Sequence, residues 1–115
     1  KIYYNIYRKL RKVFFMRVYI YATEGTYQGL HGIYNCQVVD VEDVEEADEI
    51  GYEMAFWVAE SYGLNKEDED IEQEYNWIIY SIKDSVKETT HELDVICARM
   101  SFETFVDKYC DKRLD

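Results

Sequence analysis

Proline is absent from this chain of 115 residues, a compositional oddity without a physical account. Other shortages exclude more. No apolar run approaches the ~20 residues that a membrane-spanning helix needs. The three cysteines, Cys36, Cys97 and Cys110, are odd in number, widely spaced and include no C-x-x-C. A disulfide framework is therefore not expected, and reduced thiols in a cytosolic setting are. Only two histidines are present. His31 and Cys36 lie five apart with no second pair to complete a tetrahedral metal site. His91 precedes Cys97 by six, whereas helical neighbours lie three or four apart, so the spacing does not favour a nucleophile–base pair. The acid run at 65–74 lacks the central glycine and the ligand spacing of a calcium loop. No residue cluster nominates a reaction, so the chain is read as a non-enzyme with no metal and no cofactor.

Basic residues are the most unevenly distributed of all. Five Lys/Arg and no acid lie in residues 1–15. From Met16 onward all twenty-four Asp/Glu stand against eight Lys/Arg, a formal net of −16. Within that, Glu42 to Glu74 carries fourteen acids and one base, Lys66. With 48% hydrophobic and 17% aromatic residues, the chain is too apolar for a disordered acidic tail. Its length suits one domain with a modest core.

Residues 1–15 read as a basic N-terminal extension, and residues 16–115 as a single acidic domain. The extension is not a secretion signal, because its charges lie in the middle and no apolar core or small-residue cleavage site follows. As a helix it would place Ile2, Ile6, Leu10 and Val13 on one side and Arg8, Arg11 and Lys12 on others. That suits either a membrane-surface helix or, more plainly, an added segment that packs on the domain.

Met16 to Thr23 alternates Val18, Ile20 and Ala22 with Arg17, Tyr19 and Tyr21, a β period. Residues 24–32 contain Gly25, Gly29 and Gly32 and read as a loop. Gly29 to Gly32 also fits a G-x-x-G nucleic-acid clamp, but such clamps work beside positive charge, so turn chemistry is the reading. Ile33 to Val41 is a second strand, paired with the first as an antiparallel hairpin. Asp43 and Glu46 then make a capping-box-like start to an amphipathic helix over residues 44–62. Its apolar positions are Val44, Ala47, Ile50, Met54, Trp57, Val58 and Ser61, and Gly63 supplies a left-handed cap. Gly51 costs about 1 kcal/mol against Ala in a helix, and close packing on a sheet would explain it. Residues 65–74 form an acidic surface segment. Residues 75–83 fit a helical stripe or a strand; Trp77, Ile78, Ile79, Tyr80 and Ile82 favour a third strand. Thr89 with Glu92, and then Ser101, cap two short helices. The expected fold is α+β: a small antiparallel sheet covered by one long acidic helix and two short C-terminal ones.

On the long helix, Glu45, Glu49, Glu53 and Glu60 fall opposite the apolar stripe, with Tyr52 and Phe56 among them as exposed aromatics. Eight acids between Glu42 and Glu60 span about 27 Å at ~1.5 Å per residue. That is roughly one charge per 3.9 Å, close to the ~3.4 Å per charge of one DNA strand. A net charge this large exceeds what solubility needs and opposes compaction. The expected partner-binding set is Glu45, Glu49, Tyr52, Glu53, Phe56 and Glu60, with Glu67, Asp68, Glu69 and Asp70 of the acidic segment.

Residues 17–41 followed by the acidic helix resemble small proteins of phages and mobile elements. Tyr27-Gln28-Gly29-Leu30-His31-Gly32-Ile33-Tyr34 is similar to the start of the ArdA antirestriction proteins. There a short strand leads into a Tyr-Asn-x-Gly-x-Leu-x-Gly-x-Trp-like loop, and an acidic body imitates DNA. Here Gln28 replaces the Asn, Leu30 follows Gly29 directly, and Tyr34 stands where Trp would; the match covers about a tenth of the sequence.

With the charge, the resemblance implies a phage-encoded anti-defence inhibitor in the cytoplasm of an infected bacterial cell. The anti-CRISPR kind fits best: it would bind a CRISPR effector nuclease such as Cas9 and block nucleic-acid or PAM binding. On this reading the partner is a nuclease effector complex, with no direct nucleic-acid binding and no membrane. The alternative is a small regulatory or structural module that homo-oligomerises, its basic segment lying on the acidic face of a second copy.

Overall fold

The computed structural model describes residues 15–24, 33–61, 63 and 75–115. The glycine loop at 25–32, with His31, the acidic segment carrying Glu67, Asp68, Glu69 and Asp70, and residues 1–14 of the extension lie outside the described residues.

Four strands among the described residues form one sheet: β1 (Met16–Glu24), β2 (Tyr34–Val41), β3 (Tyr75–Ile82) and β4 (Cys110–Arg113), in the order β2-β1-β3-β4. All pairings are antiparallel, with Val18 opposite Val39 on one side and opposite Ser81 on the other. The hairpin and the third strand are as the sequence suggests, and the strand composition of residues 75–83 outweighs their helical stripe. β4 is an addition: four mostly exposed residues that pair at Tyr80 and Ile82 across a bulge.

Among the described residues three helices cover the sheet: α1 (Val44–Ser61), α2 (Thr90–Cys97) and α3 (Phe102–Tyr109). The period of two in β1 sends Val18, Ile20 and Ala22 to one face, where they pack with Val41, Ile79 and the α1 residues Ala47, Met54, Ala55, Val58 and Ala59. Tyr19 and Tyr21 go to the other face, where Val38, Ile82, Leu93, Cys97, Phe105 and Tyr109 enclose them. The fold is thus α+β, with the sheet between one long helix and two short ones. Burying a side chain such as Leu93 or Phe105, both 0% exposed, contributes about 2–3 kcal/mol.

Local chemistry sets the helix ends. Asp43 accepts the Glu46 N–H at 2.8 Å, while the Glu46 carboxylate accepts the Glu42 N–H at 3.1 Å, so the return arm of the capping box falls one residue early. At the far end Gly63 has φ 91° and donates to the Glu60 carbonyl, the left-handed cap that glycine adopts without steric penalty. Thr89 and Glu92 form a complete capping box on α2, and Ser101 caps α3. Lys83 Nζ donates to the Asp107 and Lys108 carbonyls in the last turn of α3, where the helix dipole favours a cation.

Candidate functional site

α1 is the most acidic described element and carries no Lys or Arg in its 18 residues. Glu45, Asp48, Glu49, Glu53 and Glu60 are exposed along it. The four glutamates expected on the outer face are therefore on the surface. Asp43, ahead of the helix, is exposed as well.

The two aromatics expected among them are not exposed. Tyr52 is half-buried and stands edge-on to the Trp77 ring, at 5.9 Å and 90°. Phe56 is half-buried and packs against the core beneath α1. Trp57, expected in the apolar stripe, is instead 50% exposed. The cause is the phase of the helix. Its sheet-facing line runs through Ala47, Gly51, Met54, Ala55, Val58 and Ala59. That line is rotated from the Ala47–Met54 centre by about 50°, half of one residue step. Gly51, Ala55 and Ala59 weigh little in a hydrophobic pattern, whereas Ile50 and Trp57 weigh much and pulled the expected line the wrong way. Small side chains nonetheless decide which face can approach a sheet closely.

Gly51 shows how close that approach is. A Cβ there would meet the Trp77 ring, with Cγ at 2.6 Å. Trp77 is fixed from two sides: its Nε1 donates to Asp48 Oδ1 at 2.6 Å, and Tyr52 meets its ring edge-on. A groove of about 1050 Å³ follows this contact. It is lined by Asn35 and Gln37 of β2, by Trp77, and by the α1 residues Asp48, Glu49, Ile50, Tyr52, Glu53, Met54 and Trp57. Carboxylates in the same groove as indole and phenol rings make a surface suited to guanidinium and ammonium groups, chiefly through charge-assisted hydrogen bonds.

Sequence reasoning missed Trp57, Trp77 and Asp48. For Trp77 the signal was the glycine in mid-helix, which marks the place where a ring comes close.

Elsewhere the site inventory is short. Among the described residues, no group of three His, Cys, Asp or Glu side chains is placed to hold a metal ion. No helix among them is long and apolar enough to cross a membrane. All three cysteines are free thiols, and Cys97 donates to Cys36 rather than meeting the exposed His91. The Tyr19 hydroxyl is fully buried and finds no hydrogen-bond partner among the described residues; burial, and then the nearby thiols, hold its ionisation far above the ordinary tyrosine range. Compared with family models, with curated proteins and with solved structures, the chain matches none of them.

Proposed function

We propose that this protein is a stoichiometric inhibitor whose α1 surface lodges in a Lys/Arg-lined groove built to hold nucleic acid. The observation that carries the reading is an 18-residue helix without a single base, exposing Glu45, Asp48, Glu49, Glu53 and Glu60, with Trp57 half-exposed at the margin of its outer face. Carboxylates exposed along one helix compete for the cations of such a groove, and bidentate pairing with arginine gives them geometric hold. Trp57 supplies the apolar area that charge alone lacks, the role of an aromatic anchor at an interface.

The partner proposed is a nuclease effector complex of a bacterial defence system. This rests on the resemblance of residues 27–34 and the acidic body to phage anti-defence proteins. A CRISPR effector of the Cas9 kind offers arginines that read a short PAM and a positively charged channel for the heteroduplex. Occupying either would stop target binding before cleavage, without chemistry by the inhibitor.

Association kinetics across a salt series test the reading. Screening length falls from ~10 Å at 0.1 M to ~3 Å at 1 M, so the on-rate should drop by about tenfold or more. Replacing Glu45, Glu49 and Glu53 together by Gln should reproduce much of that drop at low salt. Trp57→Ala should act mainly on the off-rate, raising it by roughly 30-fold. A flat on-rate would remove the mimic reading. Light scattering on the same samples separates self-association, in which the protein would dimerise without any effector present.

A further inference from the structure

α2 meets the outer strand β2 along a seam that is periodic on both sides. Thr90 Oγ1 donates to Asp40 Oδ2 at 3.0 Å, Asp94 Oδ1 accepts the Val38 N–H at 2.9 Å, and the one proton of the Cys97 thiol is shared between Cys36 Sγ at 3.4 Å and the Asp94 carbonyl at 3.1 Å. Helix positions 90, 94 and 97 share one face, and strand positions 40, 38 and 36 share one side of the sheet. Two rungs are polar. The third puts two thiols in contact, with Cys97 buried and Cys36 only half-buried and thus reachable from solvent.

We propose that Cys36 is a modification site for hydroperoxides, with Cys97 as the resolving thiol that closes a Cys36–Cys97 disulfide. The sulfurs must approach by about 1.4 Å to reach the ~2.05 Å of a bond. The Thr90 and Asp94 rungs hold helix and strand in register meanwhile. The S–H donated by Cys97 holds the Cys36 thiol below its ordinary range, against burial and the nearby Asp94 charge, and the thiolate is the reactive form.

The Cys36 thiolate attacks the terminal oxygen of the hydroperoxide. An S–O bond forms as the O–O bond breaks, and the departing alkoxide or hydroxide takes up a proton. Cys36 is then a neutral sulfenic acid. The hydrogen bond to Cys36 is the first cause that keeps Cys97 protonated, followed by burial and the Cys36 charge. Neutralising Cys36 removes that charge and weakens that hydrogen bond, so the Cys97 sulfur attacks Cys36 Sγ while its proton goes to the leaving hydroxide. An S–S bond forms, the S–O bond breaks and water departs. Overall, two thiols give up two electrons and two protons, and the hydroperoxide is reduced to an alcohol (water, from hydrogen peroxide) and water. The new bond ties β2 to α2 across 61 residues of sequence. Cys110, buried at the α3–β4 junction with its thiol pushed up to about 12 by burial, takes no part.

The test is titration of the reduced full chain with hydrogen peroxide. The free-thiol count should fall from three to one, the intact mass should drop by about 2 Da, and a peptide map should find the 36–97 cross-link within one molecule. The melting temperature should rise by ~10 °C. Cys97→Ser should stop at a sulfenic acid on Cys36 that dimedone captures, Cys36→Ser should keep both remaining thiols at the same dose, and Cys110→Ser should behave as wild type. A bond through Cys110, a disulfide-linked dimer, or equal oxidation of Cys36→Ser would overturn the proposal. The peptide map on the unaltered chain decides it even if a serine substitution disturbs folding.

Discussion

Beneath α1 the sheet presents Val18, Ile20, Ala22, Val41 and Ile79 to a helix line of mostly small residues. Beneath α2 and α3 it presents Tyr19, Tyr21, Val38 and Ile82 to Leu93, Phe105 and Tyr109. The first face is aliphatic, and its helix is brought close by steric fit and by the Trp77–Asp48 hydrogen bond. The second is aromatic: Tyr19 lies 4.3 Å from Phe105 and Phe105 lies 4.9 Å from Tyr109, centroid to centroid. Its helices are short, so a capping box on α2, the Ser101 cap on α3 and side-chain hydrogen bonds to β2 and from Lys83 hold them in place. The difference teaches why the acids sit where they do. A helix seated chiefly by small side chains leaves its outer side to carboxylates, of which Asp48 also serves the seat by accepting from Trp77.

Truncation on the aromatic face is expected to have the largest effect. Phe105→Ala removes a fully buried ring that contacts both Tyr19 and Tyr109 and should cost about 4 kcal/mol in chemical denaturation. A loss below ~1 kcal/mol would mean that the short helices add little to the core.

Gly51→Ala probes the other face and should have an intermediate effect. Helix propensity favours the change by about 1 kcal/mol, but the added methyl would run into a Trp77 ring that Asp48 and Tyr52 hold still. Overpacking should win, with a net loss of about 2 kcal/mol. The loss should shrink when Trp77→Leu is combined with it, a coupling that a double-mutant cycle reads directly. A stabilised Gly51→Ala protein would show that α1 is not seated by close approach.

The smallest effect should come from Tyr19→Phe, which deletes a buried hydroxyl without a partner among the described residues. At neutral pH stability should be unchanged or higher by up to about 1 kcal/mol. The distinction appears in alkali. Tyr19 is held far above its ordinary range and Tyr21 is pushed up to about 12, both chiefly by burial. The unfolded chain therefore loses these protons first, near pH ~10. The stability they contribute is fully present below that pH and falls as pH rises towards the native values, by about 1.4 kcal/mol per group per pH unit. Tyr19→Phe should flatten this loss above pH ~10, and identical alkaline profiles would contradict its burial.

Most of this architecture was legible residue by residue. Alternation in β1 and β2 fixed their faces, and Thr89, Glu92 and Ser101 announced two helix starts through cap chemistry. β4 was not legible, because Cys110-Asp111-Lys112-Arg113 has no strand-like composition. It is a strand only because the chain passes the open side of β3, where Lys112 exchanges hydrogen bonds with the Ser81 hydroxyl. The site was half legible. Carboxylate positions follow from helical period alone, but aromatic exposure depends on which small residues meet the sheet. The Cys36–Cys97 contact joins elements 61 residues apart, and no local pattern encodes it.

The carboxylates also act at the margins of the sheet. Asp94 occupies the Val38 N–H on the outer side of β2. Across the sheet Asp115 Oδ1 accepts the Ile79 N–H at 3.3 Å, and Leu114 donates to the Ile79 carbonyl at 2.8 Å. An incoming strand from another molecule would have to expel an aspartate at either place before it could extend the ladder. At these two places a chain rich in β-branched and aromatic segments carries a guard against templated stacking into fibrils.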